Sequence, residues 1–161
     1  DAVNHLGNSP EGKFYPKSIW VDSLMMFSVF AARYARENND NKLLKMASRQ
    51  PRLYASYMQD PEEKLWYHSY WVKRKSHYPG KPLFWGRGNG WILAALPMIA
   101  ESLGEEHPEY EKIKKIFIMT AEAVVKHHRS DEYYDTLLGY KNKTYREASA
   151  TALITLGYFK F

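Results

Sequence analysis

Residues 19–36 are apolar or small at nearly every position, and the run closes on Arg33 and Arg36. This pattern predicts a helix buried on most of its circumference, with cations suited to its C-terminal end. Met25 and Met26 fall inside it as core. Residues 41–57 read differently. Leu43, Leu44, Met46, Ala47, Leu53, Tyr54 and Tyr57 recur at helical spacing, with Lys42, Lys45, Arg49 and Arg52 between them, so an amphipathic, outward-facing helix is predicted. Pro51 should kink or interrupt it. Asp60 and Pro61 begin a turn, and residues 60–90 read as a long connection of the kind that usually carries function.

A second apolar run occupies residues 91–103, interrupted by Pro97 and stopped by Gly104. Pro108 then suits a first helical turn, and Ile113, Ile116, Phe117, Thr120, Val124 and His128 trace one face of an amphipathic helix. Glu109 and Glu111 near its start complement the helix dipole, as do Lys126, His127 and His128 near its end. The histidine pair lacks metal-ligand spacing. Residues 129–145 form a polar loop with Tyr133, Tyr134 and Tyr140, and residues 147–159 a third mostly apolar helix. Glu147, which opens it, is either a cap-region acid or a rim residue, and the cap reading is favoured. Residues 1–18 are loop-like, broken by Gly7, Pro10, Gly12 and Pro16.

The order is thus buried helix, amphipathic helix, repeated, with no β-alternation of useful length. The apolar helices start near Trp20, Trp91 and Ala148. Such pairs stack into solenoids or close into rings with apolar inner and polar outer helices. Loops leading into the inner helices would gather at one rim. Asp22, His68, Trp85, Arg87 and Trp91 all precede or open an inner helix, so they could converge there.

At 161 residues the chain is one domain's worth, and 45% hydrophobic, 16% aromatic and 25% charged residues make it globular. The absence of cysteine excludes disulfides and thiolate metal sites and fits a reducing compartment, so a cytoplasmic location is expected. No apolar run is long enough to span a membrane, and no charged-then-apolar leader opens the chain. Because the chain begins at Asp1 without Met, a removed leader or an omitted upstream part is also open. The formal charge is +5. Much of it sits in Lys73, Arg74, Lys75 and Lys81 and in Lys112, Lys114 and Lys115, read as a solvated surface or a face for an acidic partner. No zinc-finger, helix-turn-helix or RNA-binding signature is visible, so no nucleic-acid partner is expected, nor a membrane.

The chemistry concentrates in FWGRGNGW, residues 84–91. Aromatic faces, a fixed positive charge and closely approachable backbone suit an anionic sugar. Arg87, in a Gly-rich loop, can clamp a carboxylate with two bonds or else bond local carbonyls. Trp85 and Trp91 can stack on a sugar or fill core. Gly86, Gly88 and Gly90 follow no strand, which disfavours a phosphate loop. Asp22 is a lone carboxylate among Trp20, Val21, Leu24 and Met25. Apolar neighbours penalise the charged carboxylate and would raise its pKa, as a proton donor requires. The alternative is an N-cap aspartate. His68 by itself reads more readily as a satisfied structural histidine.

IWVDSLMMF, LWYHSYW, FWGRGNGWILAALP and REASATALITLGY resemble glycoside hydrolase family 105, the unsaturated rhamnogalacturonyl hydrolases, relatives of the family 88 unsaturated glucuronyl hydrolases. The resemblance runs from about Tyr15 to the last residue, with the blocks in the family's order. It implies an all-α fold, here one domain over residues 1–161 that forms about the middle half of an (α/α)6 toroid. It also implies a metal-free hydrolase, without cofactor, acting on the terminal 4,5-unsaturated uronic acid of pectin-derived (rhamnogalacturonan) oligosaccharides. By the same carry-over Asp22 is the general acid/base, His68, Trp85 and Arg87 are substrate-site residues, and Trp91 is a further wall. The family chain is longer, with an early region carrying a second acidic residue and a ring end not present here. After His68 the family often has a small residue, Trp, then Asp or Asn, where this chain has Ser69, Tyr70 and Trp71. The implied reaction is hydration of a vinyl ether by one carboxyl group, unlike the usual two-carboxylate scheme. A non-catalytic module that binds acidic sugars and a structural helical repeat are the other readings. A half ring would expose apolar inner-helix flanks, so either self-association or partner segments missing from this sequence are expected.

Overall fold

The computed structural model describes Ala2, Val3 and residues 17–161. The expected loop with Gly7, Pro10, Gly12 and Pro16 lies outside the described residues. The rest is mainly helical: α1 (Phe30–Glu37), α2 (Asn41–Ser48), α3 (Gln50–Met58), α4 (Gly86–Leu103), α5 (Tyr110–Val125) and α6 (Ala148–Lys160). None of the described helices is long and apolar enough to cross a membrane.

An all-α chain was expected, and here the structure differs. Strands β1 (Ser18–Trp20), β2 (Ser69–Trp71) and β3 (Ser76–Tyr78) form an antiparallel sheet in that order, and β4 (Phe84–Trp85) pairs with β5 (Leu137–Leu138). Strands of two or three residues are too short for period-2 alternation to show in the sequence. They fold the connection at residues 60–90 and the loop at residues 129–145 back onto the helix starts. The carboxylate of Asp60 opens the first of these, accepting from the amides of Glu62 and Glu63 at 2.9 Å each.

The first apolar run is not one buried helix. It splits into β1, a π-helical segment (Leu24–Val29) and α1. Leu24, Val29 and Ala32 are buried, but Met26 and Phe30 are 51% and 67% exposed, so Met26 is not core. The interruption expected at Pro51 is present: α2 ends at Ser48 and Pro51 sits in the first turn of α3, where its missing amide costs nothing. The face expected on α5 is buried through Ile113, Ile116, Phe117, Thr120 and Val124.

Pro97 does not interrupt α4, which runs through it and is buried on most sides. A proline has no amide for the carbonyl four residues earlier, which is that of Leu93. Gly157 of α6 packs there so closely that a Cβ on it would lie 2.7 Å from Leu93 C and O. A Cβ on Gly90 would lie 2.8 Å from Leu153 Cβ. These glycines let α4 and α6 approach backbone to backbone, and the helix starts that carry the polar residues come with them.

Candidate active site

Strand pairing builds the site. The register Trp20↔Ser69 continues one step further, the Val21 amide donating to the His68 carbonyl at 3.1 Å. Asp22 and His68, 46 positions apart in the sequence, are thereby brought side by side. Asp22 Oδ2 lies 3.8 Å from His68 Nδ1. Both atoms are buried and neither has a hydrogen-bond partner among the described residues. The N-cap reading of Asp22 finds no support, since no described backbone amide donates to its carboxylate. Buried polar atoms without partners are rare in folded proteins and call for an explanation.

Aromatic rings enclose the imidazole. Trp20 meets it edge-on with centroids 5.2 Å apart, and Trp85 lies against it at 4.3 Å. Burial of the ring pushes the His68 pKa below 6.5, Asp22 pulls it up and Arg87 pushes it down. The net direction is downward, so the ring is neutral at neutral pH, with one nitrogen donating and the other accepting. The same interactions place Arg87 within electrostatic reach of the pair.

Arg87 stands in the first turn of α4 rather than in a loop, and the strand expected to be absent before it is β4. Its Nη1 donates to Glu147 Oε1 at 2.6 Å. The Arg87 side chain is 48% exposed, that of Glu147 only 9%. Glu147 occupies the N-cap position of α6 without a side-chain cap bond, so the cap reading holds for its place and fails for its carboxylate. That carboxylate also accepts from Thr136 Oγ1 at 2.7 Å and Ser149 Oγ at 2.9 Å.

The structure therefore gathers Asp22 and Trp85 around the His68 imidazole, with Arg87 within electrostatic reach. Trp91 is partly buried on α4, four residues after Arg87 and so on the same helix face one turn on. Asn89 is the residue that sequence reasoning missed. Fully buried, its Oδ1 accepts from the Trp66 amide at 2.9 Å, and its Nδ2 donates to the carbonyls of Trp66 and Trp85 at 3.2 and 3.0 Å. It clips the segment that leads through His68 into β2 to the start of α4. A lone amide between two glycines ahead of an apolar helix was the available signal. The described cavities lie elsewhere; one of about 470 Å³ is lined by residues that include Pro97, Tyr110 and Phe161.

Residues 4–160 match the family described as Glycosyl Hydrolase Family 88. The chain belongs to that family. It is 33% identical over 149 residues to an unsaturated 3S-rhamnoglycuronyl hydrolase of Alteromonas sp. (strain LOR), covering 91% of this chain and 36% of that protein. It is 28% identical over 150 residues to the unsaturated rhamnogalacturonyl hydrolase YesR of Bacillus subtilis (strain 168), covering 93% of this chain and 42% of YesR. This family 88 chain thus spans about two fifths of the length of the curated relatives it matches. Among solved structures, a family 105 glycoside hydrolase from C. acetobutylicum ATCC 824 superposes with a TM-score of 0.83 at 28% identity, over 91% of this chain and 43% of that one. A possible family 105 member from Salmonella enterica gives 0.85 at 25%, over 99% and 41%. An unsaturated glucuronyl hydrolase from Bacillus sp. GL1, at 0.74 and 14%, shares the fold.

Proposed function

We propose that this chain carries the acid/base part of a hydrolase for terminal 4,5-unsaturated uronic acids on rhamnogalacturonan-type oligosaccharides. The names of its relatives support the substrate class. The observation that carries the reading is the pair of buried, unpartnered atoms, Asp22 Oδ2 and His68 Nδ1, set against Trp85 and within electrostatic reach of Arg87. In this reading residues 1–161 are one unit, about the middle half of an (α/α)6 toroid, with the site at the rim where the inner helices start.

Asp22 gives its proton to C4 of the unsaturated ring. Positive charge develops at C5 and the ring oxygen, and water adds at C5 while Asp22 takes a proton back from it. The hemiketal so formed opens and releases the neighbouring sugar. Neutral His68 bonds a sugar hydroxyl through its imidazole. Arg87 holds the uronate carboxylate with the donors that Glu147 leaves free, and Trp85 and Trp91 wall the ring. No step calls for a metal or a cofactor.

The ultraviolet absorbance of the conjugated double bond reports the reaction directly. The chain is expected to abolish it, and Asp22→Asn to leave it intact. Binding of the sugar without loss of absorbance is the result expected of a non-catalytic binding module, and absence of both that of a structural repeat. Either result overturns the proposal.

A further inference from the structure

We infer that Glu147 is a positioning residue that fixes the guanidinium of Arg87 for the substrate carboxylate. This rests on the reading of Arg87 given above and adds to it the group that decides where the arginine stands. An arginine on an exposed helix start has many rotamers, and ordering it at the moment of binding weakens affinity. Arg87 is already ordered in this structure. One nitrogen, Nη1, is held at 2.6 Å by a carboxylate that is itself buried and fixed from two other sides, by Thr136 Oγ1 and Ser149 Oγ.

The anchor is tied to the rest of the fold. Glu147 donates its own amide to the Tyr134 carbonyl at 2.9 Å, and the Thr136 carbonyl accepts from the Gly86 amide at 2.8 Å. Gly86 is the residue before Arg87, and a Cβ there would lie 2.5 Å from the Asp135 carbonyl oxygen. Both ends of the Arg87–Glu147 pair are therefore set by one loop. That loop is held by Arg129, which bonds Asp131 Oδ1 at 2.9 Å and Asp135 Oδ1 at 2.8 Å. Glu147 is far better buried than its partner. It is the fixed member of the pair and Arg87 the held one.

The carboxylate of Glu147 also opposes the charge that attracts the substrate. Two opposite effects are thus built into one residue, placement and partial neutralisation. Water and salt screen the second at the half-exposed guanidinium, so placement dominates. Reach then matters more than charge, which a structural role alone would not produce.

The test compares Glu147→Ala, Glu147→Asp and Glu147→Gln with Arg87→Ala and with the Arg87→Ala, Glu147→Ala pair, in steady-state kinetics on an unsaturated uronyl disaccharide. Glu147→Ala is expected to raise KM at least tenfold with kcat changed less than threefold. Glu147→Asp, which keeps the charge and shortens the reach, should also raise KM, and it carries the test if the alanine variant does not fold. Glu147→Gln keeps length and an acceptor for Arg87 and should bring KM back to within threefold of the wild type. The double variant should be no worse than Arg87→Ala. If Arg87→Ala raises KM while folded Glu147→Ala and Glu147→Asp do not, the positioning role is wrong and the Arg87 clamp stands. If Arg87→Ala leaves KM unchanged, the clamp itself fails and the positioning role with it.

Discussion

Gly88 packs so closely on His68 that a Cβ on it would lie 3.3 Å from His68 Nδ1, and 3.2 Å from Val21 Cγ2. The glycine is the floor beneath the nitrogen that faces Asp22. Gly88→Ala is expected to leave stability within about 1 kcal/mol of the wild type, because the gain in helix propensity offsets the tighter contact. Displacing the imidazole by a few tenths of an ångström from its partner should lower kcat/KM about tenfold or more. Thermal melts and kinetics on the same sample separate the two effects, and a variant with full activity would show that the placement of the His68 imidazole does not limit catalysis.

The depressed pKa of His68 predicts a pH dependence of stability. The folded ring holds its proton less tightly than a free histidine at 6.5, through burial first, with Asp22 and Arg87 acting in opposite directions. Below pH 6.5 the unfolded chain takes up a proton before the folded one does. Stability should therefore fall as pH drops through 6.5 towards the folded pKa, and level off below it. Denaturant midpoints across that range should show the slope, and His68→Gln should remove this component. An NMR titration of His68 with a midpoint at or above 6.5 would contradict the assignment.

Asn89 offers the strongest stability test. Replacing it with alanine leaves the Trp66 amide and the carbonyls of Trp66 and Trp85 buried without their present partners. Each such loss costs about 1–3 kcal/mol, so Asn89→Ala should destabilise by about 3 kcal/mol or more in urea unfolding. Asn89→Asp keeps the acceptor for the Trp66 amide and loses both donations, so it too should be destabilised. A change below about 1 kcal/mol in the alanine variant would show that the clip is not needed.

Met26, Phe30 and Tyr34 lie four residues apart along the π-helical segment and α1, on one face, and are 51%, 67% and 49% exposed. Apolar faces of this kind mark contact surfaces. We propose a second copy of the chain as the occupant, the alternative being a segment of a longer protein. Light scattering should show association that increases with concentration, and Phe30→Glu should reduce it. A monomer at all concentrations would overturn the expectation.

Helical periodicity made α5 legible, and Pro51 the break between α2 and α3, because both signals are local. Asp22, His68, Trp85 and Arg87 could be singled out as candidates, since the blocks that carry them form a recognisable series. The strands were not: β1, β2 and β3 are each three residues long, and β1 pairs with β2 across some fifty positions of sequence. The break in the first apolar run at Val21 was hidden for the same reason, since apolar strand and buried helix look alike at that length. The exposure of Met26 and Phe30 was not visible either. Composition says that a face is apolar and does not say what covers it.

By itself the sequence determined that helices would dominate and which family the chain joins, and it singled out the residues proposed to carry the chemistry. Local spacing and residue type suffice for those. Only the tertiary structure decided that the Glu147 carboxylate pairs with Arg87, that Asn89 clips two segments together, and that Asp22 faces His68. Each of these depends on atoms brought together by strand register and by close α4–α6 packing, and a linear pattern contains no record of such distances.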